Sequence, residues 1–229
     1  GAVHKTDKAD SLILARYGAM VNPALWQPEP QAIRELKALL ARIEALEADL
    51  QREKNRLEKT AFNATSSIVM ESLHKMIGEL EAERRRMENE IDDHIDRHPD
   101  LKNDLRLLRS IPGVGPVVSR VMLSVIRSRE FTTASECAAF LGVIPRLKES
   151  GIFRGRTTLS KKGPPNVRAK LYMAAIVASQ FNPGIKAQRE RLLMKGKNKM
   201  QALGAAMRKL VHQCFGVLKH QTAYCQQAI

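Results

Sequence analysis

The chain has 229 residues, enough for one large domain or two smaller ones. Hydrophobic residues make up 44% of it and aromatic residues only 4%, a balance that favours helices over sheets. Because no apolar run approaches the roughly 20 residues of a membrane-spanning helix and no signal-peptide pattern opens the chain, the sequence predicts a cytoplasmic protein without a membrane partner. The three cysteines, Cys137, Cys214 and Cys225, fit neither a disulfide framework nor a zinc site.

The net charge of +14 is distributed unevenly along the chain. Residues 1–100 hold 15 basic and 19 acidic residues, a net charge of −4, whereas residues 101–229 hold 23 and 5, a net charge of +18. A segment with this density of positive charge repels itself unless a polyanion neutralises it. The sequence therefore predicts that the second half binds nucleic acid.

The first predicted element is a helix over residues 11–20, SLILARYGAM, with Asp10 or Ser11 as its N-cap. Residues 21–31 follow with three prolines and indicate a linker. We place a domain boundary near residue 27, within this linker, so that residues 1–27 form the first unit.

Residues 28–98 predict an elongated helical hairpin with coiled-coil character. Apolar residues recur every seven positions in two runs that are separated by FNATSS, a plausible turn with Ser66 or Ser67 as the next cap. The hairpin pairs within itself or forms a dimerisation arm, and the pattern alone leaves both open. The heptad positions are Leu36, Ile43, Leu50 and Leu57 with Leu39 and Leu46 in the first run, and Leu73, Leu80 and Met87 in the second.

Residues 99–229 predict a compact helical domain after the break at Pro99. We expect helices through Arg109 and Arg127 on either side of a glycine loop, and a short helix at residues 135–141. Three more helices are predicted at residues 166–180, 185–194 and 199–219. No segment predicts a strand, so the predicted fold class is all-α.

The loop between the first two of these helices is Ile111-Pro112-Gly113-Val114-Gly115. Two glycines at a helix start expose backbone N–H groups, which bind a phosphate oxygen well. The loop resembles the helix-hairpin-helix motif, which holds the DNA backbone without reading its sequence. The alternative is an ordinary turn in which glycine merely permits the bend.

A second candidate segment, residues 145–163, is rich in Gly, Pro and basic residues, with Ser150 before Gly151. Phosphoryl transfer needs a nucleophile held in line and cations on the non-bridging oxygens. From the residues alone, a basic surface loop whose serines only cap turns is the better-supported interpretation. The candidate nucleic-acid-binding residues here, counting a basic residue downstream, are Arg146, Lys148, Arg154, Arg156, Ser160, Lys161, Lys162 and Arg168.

A third candidate is the pair Asp7 and Asp10, which lie three residues apart and share one face of a helix. Such carboxylates could share a divalent cation, although a solvated helix start is the commoner explanation of this spacing.

Taken in order, KTDKAD, the hairpin, LRSIPGVG, PRLKESG, LSKKG and the MRKLV helix resemble the RuvC-like DEDD transposases, the Piv-invertase-like insertion-sequence recombinases guided by a bridge RNA. The resemblance covers essentially the whole chain. It implies that Asp7 and Asp10 are the last two acids of an Asp-Glu-Asp-Asp site for Mg²⁺. It further implies that Ser150 is the nucleophile that links to DNA, and that the partners are DNA, a guide RNA and further copies of the chain in the bacterial nucleoid.

The resemblance also implies a RuvC-like α/β domain that supplies the first Asp and the Glu of the metal site. This sequence opens just before KTD, so we expect residues 1–27 to be the last helix of that domain with a linker, and the chain to be a fragment that is inactive by itself. The expected function is a DNA transposase or recombinase that cuts and rejoins DNA through Ser150. The alternative is a non-catalytic dimeric scaffold that binds DNA or RNA.

Overall fold

The computed structural model of the chain describes residues 6–23, 25, 27–62, 66–146, 149–150, 153–154 and 158–225. Within these residues the chain forms nine helices and four two-residue strands. The helices are α1 (Asp7–Val21), α2 (Gln31–Phe62), α3 (Ser67–Asp96), α4 (Pro99–Arg109), α5 (Pro116–Arg127), α6 (Ala134–Phe140), α7 (Pro165–Phe181), α8 (Pro183–Met194) and α9 (Lys199–His220). The all-α prediction is confirmed.

Helix α1 begins earlier than the sequence predicted. Thr6 is its N-cap, with a side-chain oxygen that accepts from the N–H of Ala9 at 3.3 Å, so the cap is neither Asp10 nor Ser11. No residue of α1 is buried.

Helices α2 and α3 pack against each other as an antiparallel pair. Near the open end of the hairpin the buried imidazole of His94 hydrogen-bonds the carbonyl of Ala32 at 2.8 Å, and towards the connecting turn Lys54 contacts Glu81 at 2.8 Å. Burial is deepest at the open end, at Ile33, Leu36, Ile43 and Leu46 in α2 and at Met87, Ile91 and Ile95 in α3. Towards the turn the heptad residues Leu50, Leu57 and Leu73 are half-buried, because two helices alone cover only one side of each other.

The open end of the hairpin joins the helices of the second half in one hydrophobic core. Helix α9 is the central element of that core, since it contacts α4, α5, α6, α7 and α8. It has an amphipathic stripe of apolar residues three or four positions apart, with Leu203, Met207, Leu210, Cys214 and Val217 all buried. Within the described part of the chain, no helix combines the length and apolar character needed to cross a membrane.

The expectation of no strand is wrong in detail for residues 145–159. Strand β1 (Pro145–Arg146) pairs antiparallel with β4 (Thr158–Leu159), and β2 (Glu149–Ser150) pairs antiparallel with β3 (Phe153–Arg154). We call this segment the serine hairpin. Ladders of two residues are too short to produce an alternating pattern, which is why periodicity did not reveal them.

Candidate nucleic-acid interface

Ser150 lies near the end of the serine hairpin. Its backbone pairs with Phe153, and two residues of sequence separate the pair. Two residues connect β1 to β2 and three connect β3 to β4, so the register shifts by one residue between the two ladders. An extended chain from Pro145 to Ser150 spans at most about 17 Å, which bounds how far Ser150 stands from the base of the serine hairpin.

The base of the serine hairpin is fixed by two glycines that approach each other's backbone. A Cβ on Gly142, whose φ is +68°, would lie 2.8 Å from the N atom of Gly163. A Cβ on Gly163 would lie 2.2 Å from the carbonyl oxygen of Phe140. Neither position has space for a side chain, so the two ends of the segment are held together by backbone packing.

Hydrogen bonds complete this base. The N–H of Ser160 donates to the carbonyl of Ile144 at 2.9 Å, and the N–H of Lys161 donates to that of Gly142 at 3.1 Å. The guanidinium of Arg168 on α7 donates to the carbonyl of Gly163. Arg168 is half-buried, so it anchors the hairpin base to α7 whether or not it also contacts nucleic acid.

The other predicted contact residues of this segment differ in how the structure presents them. The side chains of Arg146, Lys161 and Lys162 are exposed, and Lys161 adopts a left-handed backbone with φ +57°. Arg154 is placed by its backbone in β3, opposite Glu149. Lys148 and Arg156 lie outside the described residues.

The glycine loop between α4 and α5 has one packed glycine and one exposed glycine. Gly113 has φ +97°, and a Cβ there would lie 2.6 Å from the Cβ of Ala178 on α7. Gly115 is exposed and is the N-cap of α5, with open space where a Cβ would be. Among the described residues no acceptor hydrogen-bonds the backbone N–H of either glycine, as a phosphate contact would require.

Helix α7 separates the glycine loop from the serine hairpin. The hairpin base leads directly into Pro165 at the start of α7, while Gly113 packs on Ala178. Thirteen residues of helix correspond to about 20 Å. The glycine loop and the base of the serine hairpin therefore cannot bind the same phosphate.

Asp7 and Asp10 lie in the first turn of α1, where carboxylates are favoured by the helix dipole. Their oxygens are the donors that Mg²⁺ prefers, but two carboxylates are too few to hold the ion. No group of three or more potential ligands occurs among the described residues. No hydrogen bond or ion pair of the described residues connects Asp7 or Asp10 to the serine hairpin.

Ion pairing differs between the two halves of the structure. Within the described part of the α2–α3 hairpin, six basic side chains have a carboxylate partner, as in Lys54–Glu81 at 2.8 Å and Arg84–Glu88 at 2.9 Å. Four basic residues of the second half are paired within the described part of the chain: Lys102, Arg120, Arg127 and Lys170. Most of the +18 charge therefore remains available to an external polyanion.

Comparison with known proteins gives matches to transposases and to gene-inverting proteins. Residues 105–190 match the family model described as Transposase IS116/IS110/IS902 family. The chain is 30% identical over 223 residues to the pilin gene-inverting protein of Moraxella bovis, covering 96% of this chain and 68% of that protein. The corresponding protein of Moraxella lacunata is 32% identical over the same coverage. The chain belongs to the IS116/IS110/IS902 transposase family.

More distant members of the family match shorter segments. An uncharacterized 43.6 kDa protein of insertion element IS110 from Streptomyces coelicolor is 26% identical over 161 residues, 70% of this chain and 39% of that protein. The segment matched by the transposase family model includes the glycine loop and the serine hairpin, and it ends within α8.

One basic feature was missed in the sequence, although its signal is present there. Lys195, Lys197 and Lys199 alternate through the connection between α8 and α9, and all three are exposed. They follow a predicted helix and have no hydroxyl or acid beside them in the sequence, so the pattern did not predict a site there. The structure brings them close to the serine hairpin, because Leu159 of β4 packs on Gly204 near the start of α9.

Proposed function

We propose that this chain is the DNA-joining part of a transposase or recombinase in which Ser150 is the nucleophile. The observation that supports this most is the position of Ser150, in the ladder pair farthest from a hairpin base that is fixed to α6 and α7. A nucleophile that enters a DNA strand must project from its domain, and a rigid base limits the positions it can take. Fold alone would not support a function, but membership of a transposase family agrees with this one.

The proposed reaction conserves phosphoester bonds. The Ser150 oxygen attacks a DNA phosphorus, its proton passes to a carboxylate base, and one deoxyribose oxygen leaves as a hydroxyl. The strand is then joined to the protein through a serine phosphodiester. A hydroxyl of a second strand displaces the serine, so that rejoining needs no nucleotide cofactor.

A serine hydroxyl is a weak nucleophile at neutral pH and needs a base or a metal. We propose that Asp7 and Asp10 contribute two ligands of a Mg²⁺ site that is completed by acids outside this sequence. When bound, the ion would polarise the scissile phosphate. Within this chain, the exposed cations near the serine hairpin bind the phosphate backbone.

We propose two further partners for the same protein. A guide RNA would bind the basic half, since a net charge of +18 attracts any nucleic acid. A second copy would bind at the closed end of the α2–α3 hairpin, where Phe62 is 90% exposed and Ile68 is 76% exposed. Apolar side chains exposed together at the end of a hairpin are typical of a protein contact.

The test of the proposed function is the covalent adduct. A recombinase polypeptide that contains this sequence together with the remaining acids is incubated with RNA, target DNA and Mg²⁺. Peptide mass spectrometry then locates the nucleotide-bearing serine. We expect Ser150→Ala to abolish both the adduct and strand exchange, with DNA binding nearly unchanged, since one hydroxyl contributes little beside many cations.

Ser160 provides the matched control, because it lies in the same basic segment near a glycine. If Ser160→Ala removed the adduct and Ser150→Ala did not, the residue assignment would be wrong while the reaction class stood. If neither variant mattered, the serine mechanism itself would fail.

A second candidate function is a nucleic-acid-binding scaffold without catalysis. The observation in its favour is that Asp7 and Asp10 have no third carboxylate with them among the described residues. Adduct formation at Ser150 excludes this alternative. Binding without any adduct, under conditions in which a related recombinase forms one, favours it.

A further inference from the structure

A short basic corner connects α8 to α9 and contains Lys195, Lys197 and Lys199. We infer that this corner is a second binding site for the DNA backbone, beside the serine hairpin. The inference rests on the proposed function in one respect, namely that the DNA held here is the DNA that Ser150 would attack.

The corner is rigid because both helices that meet there are capped. Gly196, with φ +75°, ends α8 in a Schellman motif: its N–H donates to the carbonyl of Leu193 at 2.9 Å, and that of Lys197 donates to Leu192 at 3.0 Å. Asn198 and Gln201 form a capping box at the start of α9. The three lysines therefore project from an ordered backbone, which reduces the entropy that binding would otherwise cost.

The charges of the corner have no partner within the described part of the chain. Residues 191–200 hold four basic residues and no acid, and the structure gives none of them an ion pair. Lys199 occupies the first position of α9, where the helix dipole disfavours a cation. A bound anion would relieve both the repulsion among the lysines and this unfavourable position.

The surface of the corner also indicates a macromolecular partner. Met194 is 85% exposed and Met200 is 62% exposed, one on each side of the lysines. A nucleic acid strand offers contacts to both kinds of side chain, because its sugars lie beside its charged phosphates. A small anion would leave both methionines in water.

The corner lies close to the serine hairpin, which indicates that it binds the same DNA that Ser150 would attack. A Cβ on Gly204 would lie 3.5 Å from Cδ2 of Leu159, so the hairpin base packs against α9 five residues after Lys199. Five helical residues correspond to about 8 Å. DNA that reaches Ser150 would therefore pass close to the lysines, and the glycine loop, near the far end of α7, would bind a more distant part of the same duplex.

The experiment measures duplex DNA binding across a salt series, using fluorescence anisotropy of the chain as it stands. Lys195, Lys197 and Lys199 are replaced together by Ala. The control replaces Lys59, Lys75 and Arg97, which are exposed and lie outside the basic half, and it removes the same charge. Thermal unfolding of both variants checks that the fold is retained.

If the corner binds three phosphates, the slope of log K against log salt becomes less steep by about 2.7 in the lysine variant. Between 50 and 200 mM salt, the affinity of the unchanged protein then falls by an additional factor of roughly 40 relative to that variant. The control variant keeps the original slope. Equal slopes in the two variants would overturn the inference.

A second arm replaces the duplex with an RNA hairpin of the same charge. If the lysine variant lost RNA binding but kept duplex binding, the assignment to DNA would also be overturned. Neither arm depends on catalysis, so the result is distinguishable from a failure at Ser150. A Ser150→Ala protein that lacks the adduct should still show the full salt dependence.

Discussion

Gly113, Gly115 and Gly163 differ in the space that surrounds them, so alanine should affect the stability of the protein differently at each position. Alanine at Gly163 places a Cβ 2.2 Å from the carbonyl oxygen of Phe140, and alanine at Gly113 combines φ +97° with a contact of 2.6 Å to Ala178. Both neighbours are held in helices or tight turns and cannot move without disturbing the core. We expect each change to lower the free energy of unfolding by about 1–3 kcal/mol or more, as measured by urea denaturation.

Gly115→Ala is the matched control, because its Cβ would meet no atom within 4 Å. We expect a loss of stability below about 1 kcal/mol, the usual difference between residues at an N-cap. Its DNA affinity should nevertheless fall, since a methyl group would intrude where the backbone N–H meets a phosphate. An unchanged affinity would indicate that the loop is only a turn.

The cysteines report on the integrity of the core. Burial raises the pKa of Cys137 to about 12, and burial raises the pKa of Cys214 as well. The thiolate is the reactive form, so at pH 8 both thiols should resist alkylation in the folded protein. Cys225 is exposed and should react quickly.

Counting modified thiols by intact mass, we therefore expect one rapid modification in buffer and three in denaturant. Rapid modification of Cys137 or Cys214 in buffer would show that α6 and α9 separate easily. Because burial raises the pKa of both buried thiols, they should remain mostly unmodified in buffer even at pH 9.

The contact surface between α2 and α3, here called the seam, can be tested at three positions that differ in burial. Ile43 is 9% exposed, Leu80 is half-buried against the core, and Met76 is 45% exposed. Aspartate at Ile43 would bury an unpaired charge and should cost several kcal/mol of folding free energy, with a smaller cost at Leu80. Met76→Asp should stay within about 0.5 kcal/mol.

Circular dichroism during urea unfolding measures these differences, and light scattering measures the mass in solution. Wild-type stability in both Ile43→Asp and Leu80→Asp would contradict the seam. A change in mass without a change in stability would instead place these residues in a contact between copies.

The helices were predictable because each carries its own signal in the sequence. Prolines begin α4, α5, α7 and α8 close to the predicted boundaries, and the 3.6-residue period of α9 is complete. The serine hairpin was not predictable, because its strands have two residues each and depend on tertiary contacts. Gly142 and Gly163 are 21 residues apart, and nothing local in the sequence indicates that their backbones touch.

The same distinction explains what was predictable of the candidate site. The basic segment and Ser150 stand out in the sequence because of their composition, whereas the anchoring contact of Arg168 with Gly163 requires the fold. The α8–α9 corner required it as well, since only the packing of Leu159 on α9 brings those lysines near the serine hairpin. Charged residues can be counted in a sequence, but which of them share one surface depends on the fold.

At the scale of the whole molecule, charge and acid placement together predict binding without cutting. Residues 101–229 have a net charge of +18, so the chain alone should bind duplex DNA with little sequence preference. If about six phosphates are neutralised, affinity should fall by roughly three orders of magnitude between 50 and 200 mM salt. Cleavage should nevertheless be absent, because Asp7 and Asp10 would leave a Mg²⁺ underliganded.

The measurement combines anisotropy with a supercoiled-plasmid nicking assay, each with and without Mg²⁺. We expect salt-dependent binding that Mg²⁺ weakens only as a salt would, and no nicking above background. Nicking that required Mg²⁺ and disappeared in Asp7→Ala would show that the two acids suffice, and the proposed contribution of acids outside this sequence would then be wrong. A flat salt dependence would contradict the backbone contacts themselves, because the release of counterions is unavoidable when lysines and arginines replace them on the phosphates.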